Sequence, residues 1–364
     1  MTTVYLVRHA EAEGNLYRIA QGQGNSNLTD RGWRQVRALE KRFRDIHIDA
    51  VYSSDLYRTC ATASSVYQAK GLPLHRERGL REICVGIWEH RTWGDIDRFW
   101  PEELSLFRRC SAEWSIEGGE TLAQLLERVL TTVKRIAADH DGETIALFSH
   151  GYAIRVLLAH LQGYSLDQVG QTITGDNTAV SCLEVNGDEI RVVFRDDNSH
   201  LKTPEYLAGE KVVKRNIALE PGLYYEPLRL PEQETFYLAR VEEALEDCGV
   251  SVPAGTVRLN PGEADRTLIA YRIGGEPVGA VQFGEEGGEI TLLCVCAEHR
   301  RKGYGVQLIG QAVQYWRGKG ADRIWIRTGR EWDCKTFLQD YGFSPDGTVM
   351  KKDIYFIPEY LGEE

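Results

Sequence analysis

The sequence predicts an α/β protein of two unlike parts. The first is a three-layer α/β/α domain on a mostly parallel sheet; the second is an α+β domain on a mostly antiparallel one. Three observations predict it. Short apolar runs, Val4–Val7, Ala50–Ser53 and Thr144–Ser149, alternate with amphipathic helical stripes, as strands covered on both faces do. From about Thr235 the pattern restarts as apolar runs separated by glycine pairs, Gly274-Gly275 and Gly287-Gly288, which read as turns between antiparallel strands. A chain of 364 residues also exceeds what one hydrophobic core usually organises.

Composition narrows the function classes. Hydrophobic content of 42% and charged content of 27% are ordinary for a globular protein, and no apolar run reaches the ~20 residues that span a bilayer. The N-terminus enters the first strand without a basic region or a cleavage site, so a cytoplasmic location is expected. A net charge of −11 argues against nucleic acid or an anionic membrane as partner. The eight cysteines (Cys60, Cys84, Cys110, Cys182, Cys248, Cys294, Cys296 and Cys334) form no C-x-x-C pair and read as reduced thiols. Cys294 and Cys296 share one strand face without further ligands at metal spacing, so no metal site is expected.

In chain order, the first strand stops at Arg8 and His9, where an open α/β sheet places its ligand crevice. A Gly/Asn/Ser-rich loop, Gln21–Gly32, follows. Thr29 is a natural N-cap for a helix from Asp30, with Val36, Leu39, Phe43 and Ile46 on its core face. Arg31, Arg34, Lys41 and Arg44 read as its solvated face. After the Ala50–Ser53 strand, Arg58 falls about one turn into a helix that Gly71 closes. Leu80–Trp88 fits no long element. Glu82 there lies among apolar neighbours, which favours its protonated form; it reads as a general acid or as a surface partner of Arg81 or Arg91. Leu122–Ala138 is amphipathic, preceded by Gly118, Gly119 and Glu120. The strand Thr144–Ser149 ends at His150, and Gly151 opens a helix. A hairpin about Gly187-Asp188 follows, and the chain from about 202 to 233, with Pro204, Pro221, Pro227 and Pro231, reads as a connection. Three strand ends thus converge on two histidines and two arginines, an anion pocket containing an imidazole.

Assembled, these motifs resemble the histidine phosphatase (phosphoglycerate-mutase-like) superfamily from Val4 to about Leu201. They are RH-A at 8–10, Asn15, QG at 21–22, LT-x-x-G at 28–32, SS-x-L-x-R at 53–58, L-x-E-x-x-x-G-x-W-E from Leu80, GGE at 118–120, SHG at 149–151 and NT at 177–178. The resemblance implies His9 as nucleophile and Glu82 as proton donor. Arg8, Arg58 and His150 would hold the phosphoryl oxygens, assisted by Asn15, Gln21 and Gly22, without a cofactor. The chemistry suits the residues: fixed guanidinium forks stabilise spread phosphoryl charge, and a neutral imidazole attacks phosphorus. The family has Gly after the nucleophile and Thr or Ser two positions further on; Ala10 and Ala12 stand there in this chain.

In the second part, Glu234–Cys248 reads as a helix and Leu268–Ile273, Val278–Phe283 and Ile290–Val295 as strands. His299–Gly305 then leads into a helix striped by Val306, Ile309, Val313 and Trp316. R-x-x-G-x-G from Arg300 to Gly305, the strand Arg323–Arg327 and FLQDYGF from Phe337 resemble the GNAT acyltransferases over about residues 220–360. The resemblance implies acetyl-CoA held by Cys294, Cys296, Arg300, Arg301, Lys302, Gly303, Tyr304, Gly305 and Val306. The family's tyrosine acid position holds Leu338, and Tyr341 reads as a packing residue.

The domains are expected at 1–203 and 234–364, joined by 204–233. The leading reading is a metal-independent phosphomonoesterase fused to an acetyl-CoA-dependent N-acetyltransferase. Its partners would be a small phosphate ester, an acyl-CoA and an amine acceptor whose identity, like the oligomeric state, the sequence leaves open. The alternatives are a phosphatase regulated by a non-catalytic acyl-CoA-binding module, a phosphoglycerate-mutase-type phosphotransferase, and a phosphatase acting on protein phosphohistidine.

Overall fold

A computed structural model describes residues 1–209, 222–247, 257–259, 261–328 and 335–361. Cys248, Cys334 and Pro221 lie outside them. The N-terminal half runs β1 (Thr2–Arg8), α1 (Glu13–Tyr17), α2 (Asp30–Phe43), β2 (Ala50–Ser53), α3 (Tyr57–Lys70), β3 (Leu74–Arg76), α4 (Trp93–Phe99), α5 (Pro101–Arg108), α6 (Leu122–Asp139), β4 (Thr144–Ser149), α7 (Gly151–Leu161), β5 (Val180–Asn186), β6 (Glu189–Asp197) and α8 (Pro204–Gly209). Its six-stranded sheet has the order β3-β2-β4-β1-β5-β6. The first three pairings are parallel; β5 and β6 add an antiparallel hairpin edge. Thr29 caps α2 by accepting from the Gly32 N–H at 3.0 Å, and Gly71 closes α3 in the left-handed region. Separate apolar clusters fill the two faces of the sheet, one built on α6 and α7 and the other on α2 and α3.

The C-terminal half runs β7 (Tyr224–Pro227), α9 (Glu234–Asp247), α10 (Pro261–Ala264), β8 (Thr267–Tyr271), β9 (Pro277–Phe283), β10 (Glu289–Val295), α11 (Tyr304–Gly318), β11 (Arg323–Arg327), α12 (Lys335–Asp340), β12 (Ser344–Asp346) and β13 (Val349–Asp353). The sheet order is β12-β13-β11-β10-β9-β8-β7, antiparallel except between β10 and β11. Strand β7 lies within the segment read as a connection: its alternation is only four residues long, too short to stand out, yet it forms the edge of this sheet. The helices α4 and α5 also escaped the sequence reading, because aromatic and charged residues blur their apolar stripes.

The two halves share a core. Leu16, Tyr17 and Ile19, on and just after α1, are buried in the apolar cluster of α11. Gly310 permits the approach, since a Cβ there would lie 2.5 Å from the Cβ of Tyr17. Arg317 on α11 grips the buried Glu13 carboxylate with Nη1 at 3.0 Å and Nη2 at 3.1 Å. The chain after β13 returns to the first half, packing Phe356 against Tyr57 (centroids 5.0 Å, tilted) and Tyr360 near Trp33 (5.9 Å).

Candidate active site

His9 lies immediately beyond β1, and the parallel ladder with β4 continues through it: its N–H donates to Ser149 O at 3.0 Å. The same ladder places His150 beside it, with ring centroids 5.3 Å apart. Both rings are buried. His9 Nδ1 lies 2.7 Å from Ala10 O. A carbonyl only accepts, so the proton is on Nδ1 and Nε2 keeps its lone pair. Burial, then Arg58 and Arg8, hold the imidazole well below the usual histidine range, so it is neutral at pH 7. His150 is depressed likewise, by burial first and then by Arg58 and His9. Its Nε2 meets Ser54 Oγ at 2.9 Å, while Nδ1 is buried without a partner.

Arg58 is the second residue of α3, earlier in the helix than expected. Its Nη1 donates to Gly24 O at 2.8 Å and Nη2 to Gly22 O at 2.7 Å; Nε is buried and unpartnered. Desolvation pushes this guanidinium down to about 10, still a cation at neutral pH. The 22–24 loop is itself fixed by Glu89, whose carboxylate accepts from Gln23 N at 2.9 Å and Gly24 N at 3.0 Å. Arg8 donates through Nη1 to Gly175 O at 2.5 Å, and its Nε is likewise buried and unpartnered. A Cβ at Gly151 would lie 3.1 Å from that Nε, so the glycine after His150 makes room for the Arg8 fork. A buried Arg58 and a half-buried Arg8, each held by carbonyls and each with a buried Nε–H left over, are a ready anion site.

Glu82 is not a surface partner of arginine. Arg81 forms a bidentate pair with Asp55 (2.6 and 2.5 Å), and Arg91 donates to Ile87 O. Instead the Glu82 carboxylate sits at the N-terminus of α7. Oε1 accepts from Ile83 N and Ala153 N, each at 3.0 Å, and Oε2 from Tyr152 N at 3.1 Å. These backbone donors stand where the sequence led one to expect apolar neighbours. Asn15 Oδ1 accepts from Ala12 N at 3.1 Å, capping α1 where the residue at 12 lacks a hydroxyl. Gln21 Oε1 accepts from Ser26 Oγ, and Gly22 offers its carbonyl to Arg58, so these two brace the loop. Ala10 is not among the residues with positive φ, which is why a methyl fits there. Ser54, Glu89 and Glu120 stood inside recognised motifs but drew no role from the sequence. Arg128 had no signal beyond its place at the margin of the α6 stripe.

In the second half Gly303 (φ +81°) precedes α11, and its first-turn N–H groups lie at the end of a 15-residue helix. A Cβ at Gly305 would lie 2.9 Å from the Phe337 ring, so the loop meets the FLQDYGF segment. Pairing of β10 with β11 is confined to Glu289–Ile290 against Trp325–Ile326, while β10 runs on to Val295. Three expected cofactor residues are otherwise engaged. Arg300 donates to Val295 O (3.0 Å) and pairs with Glu243 on α9 (2.8 Å). Cys294 packs against α9, its thiol pushed up to about 12 by burial, and Cys296 is buried beside Arg240. Their side chains are packing elements, because this strand face is covered by α9. Tyr341 packs against the Phe337 ring at 5.0 Å, and Leu338 is buried.

Two family models match the chain, one in each half. The model of the histidine phosphatase superfamily (branch 1) matches residues 4–198, and that of the acetyltransferase (GNAT) family matches residues 225–343. Phosphoserine phosphatase 1 of Hydrogenobacter thermophilus is 30% identical over 168 residues, 46% of this chain and 80% of that one. A Salmonella choleraesuis protein named "Probable phosphoglycerate mutase GpmB" is 35% identical over 166 residues, 45% of this chain and 76% of the relative. Among solved structures, Bacillus stearothermophilus YhfR superposes with a TM-score of 0.54 at 31% identity, over 55% of this chain and all of that one. Among the described residues no helix is long and apolar enough to cross a membrane.

Proposed function

We propose, for a chain that belongs to the histidine phosphatase superfamily, that its N-terminal part hydrolyses a small phosphate monoester through a phosphohistidine at His9. The observation that carries this reading is the Nδ1 hydrogen of His9 tied to Ala10 O, beside two arginines, Arg8 and Arg58, whose buried Nε–H groups have no partner. Nε2 attacks phosphorus as the ester P–O bond breaks, and Arg8, Arg58 and His150 stabilise the equatorial oxygens. Protonated Glu82 gives its proton to the departing alkoxide. The resulting carboxylate then takes a proton from water as its oxygen attacks phosphorus and the P–N bond breaks, releasing inorganic phosphate and restoring both groups. Hydrolysis of p-nitrophenyl phosphate in the presence of a chelator tests this. The parent turns over, and His9→Ala falls at least about a thousandfold; equal turnover in the variant ends the proposal.

In this reading the phosphatase unit spans 1–203 and the acyl-CoA unit 234–364, with the intervening segment lending β7 to the second sheet. The first-turn amides of α11, with Arg301 and Lys302, would hold the coenzyme pyrophosphate, which fits an anion at a glycine-opened helix end. Bound acetyl-CoA would supply an activated acyl group; this chain's own residues hold and orient it.

A second reading, in which this module regulates the phosphatase, is favoured by one contact. The helix that begins at the pyrophosphate loop packs directly on α1, four residues after His9. Phosphatase rates with and without acetyl-CoA distinguish the two: a rate change without acetyl transfer supports regulation.

A further inference from the structure

Arg128 on α6 makes five hydrogen bonds. Nε and Nη2 hold Glu120 in a side-on pair, at 2.8 Å to Oε1 and 2.7 Å to Oε2. Nη1 donates to Gly79 O (2.9 Å) and Arg81 O (3.0 Å), and Nη2 also donates to Glu82 O (3.2 Å). Every N–H of the fork is used. Glu120 in turn is tied to Cys84 through both its own N–H (2.9 Å) and its carboxylate (3.4 Å). One guanidinium therefore gathers three carbonyls, of Gly79, Arg81 and Glu82, along the irregular stretch that carries Glu82. The Glu82 carboxylate is anchored at the opposite end, on the first turn of α7. Its position is thus set by α6 through the backbone and by α7 through the side chain.

We propose that Arg128, braced by Glu120, is the positioning residue that presents Glu82 to the leaving group; this rests on the assignment of Glu82 as proton donor. Arg128 reaches the substrate only through that backbone. Its planar fork is what the site needs: a lysine in its place has three donors on a flexible stem and cannot hold a carboxylate side-on while binding three carbonyls. Displacing an acid by about 1 Å costs on the order of a hundredfold in a step that depends on it.

The test uses the full chain and two substrates of similar shape, phenyl phosphate and p-nitrophenyl phosphate. Phenolate needs a proton as it leaves; p-nitrophenolate needs one far less. The readout is the ratio of kcat/KM for the two. Glu82→Gln raises the p-nitrophenyl preference at least about tenfold. Arg128→Met raises it in the same direction, Arg128→Lys restores part of the loss, and Arg128→Met added to Glu82→Gln leaves the ratio where Glu82→Gln put it. Glu120→Gln gives the same signature and serves if Arg128→Met does not fold. An equal loss on both substrates in these variants, or a further change of the ratio in the Glu82→Gln background, overturns the positioning role. An unchanged ratio in Glu82→Gln alone overturns the donor assignment and the proposal with it.

Discussion

Acidification from about pH 7.5 to about pH 5 is expected to destabilise the N-terminal domain through histidines buried in the neutral form. His200, which meets Thr178 Oγ1 at 3.0 Å, is pushed down to about 4 by burial and Arg42. His9 and His150 are depressed by the same cause. Since the folded-state values lie below the unfolded value of about 6.5, the unfolded chain takes up protons first. Stability is therefore full above about pH 6.5 and falls as the pH drops toward the folded values. Between those two values His200 contributes a slope of about 1.4 kcal/mol per pH unit, about 2 kcal/mol by about pH 5. His9 and His150 act in the same direction. Asp49 and Asp197, depressed by their partners, act only below their ordinary range and leave this window clear. Urea unfolding at each pH, with His200→Gln as control, measures the slope and its reduction by about one proton. An unfolding free energy that stays flat or rises on acidification refutes the burial argument.

Gly151→Ala places a methyl 3.1 Å from Arg8 Nε; kcat is expected to fall about tenfold with an unchanged melting temperature, measured by p-nitrophenyl phosphate turnover and calorimetry. Gly310→Val drives a side chain into Tyr17 and is expected to cost about 1–3 kcal/mol in chemical denaturation. Arg317→Met leaves the buried Glu13 carboxylate with the Asn27 N–H at 3.1 Å and no paired cation among the described residues, an expected loss of about 3 kcal/mol. In the last two variants the acetyl-CoA effect on phosphatase rate, if the module is regulatory, should be lost as well.

What was legible in the sequence follows physical lines. The strand ends carrying Arg8, His9 and His150, the Thr29 cap and the Gly71 stop are local signals, and the structure keeps them. Strand β7 and helices α4 and α5 were missed, since four residues or an aromatic-rich stripe give no clear period. The site was legible in its residue types but not in its bracing. The side chains that fix Arg58 and Glu82 come from Glu89, Glu120 and Arg128, and only folding brings their donors and acceptors to backbone far away in the chain. Arg300 shows the reverse: an arginine in the right motif position is spent on Glu243 and Val295, a competition that spacing does not reveal.

Phosphorylation of His9 is read most directly by rapid acid-free quenching of the enzyme during p-nitrophenyl phosphate turnover, followed by mass spectrometry of the peptide that carries His9. A phosphoryl group is expected on that imidazole, formed as fast as the burst of p-nitrophenol and absent in His9→Ala. Turnover with no phosphoryl group on His9, or with one on another residue at the same rate, would contradict it.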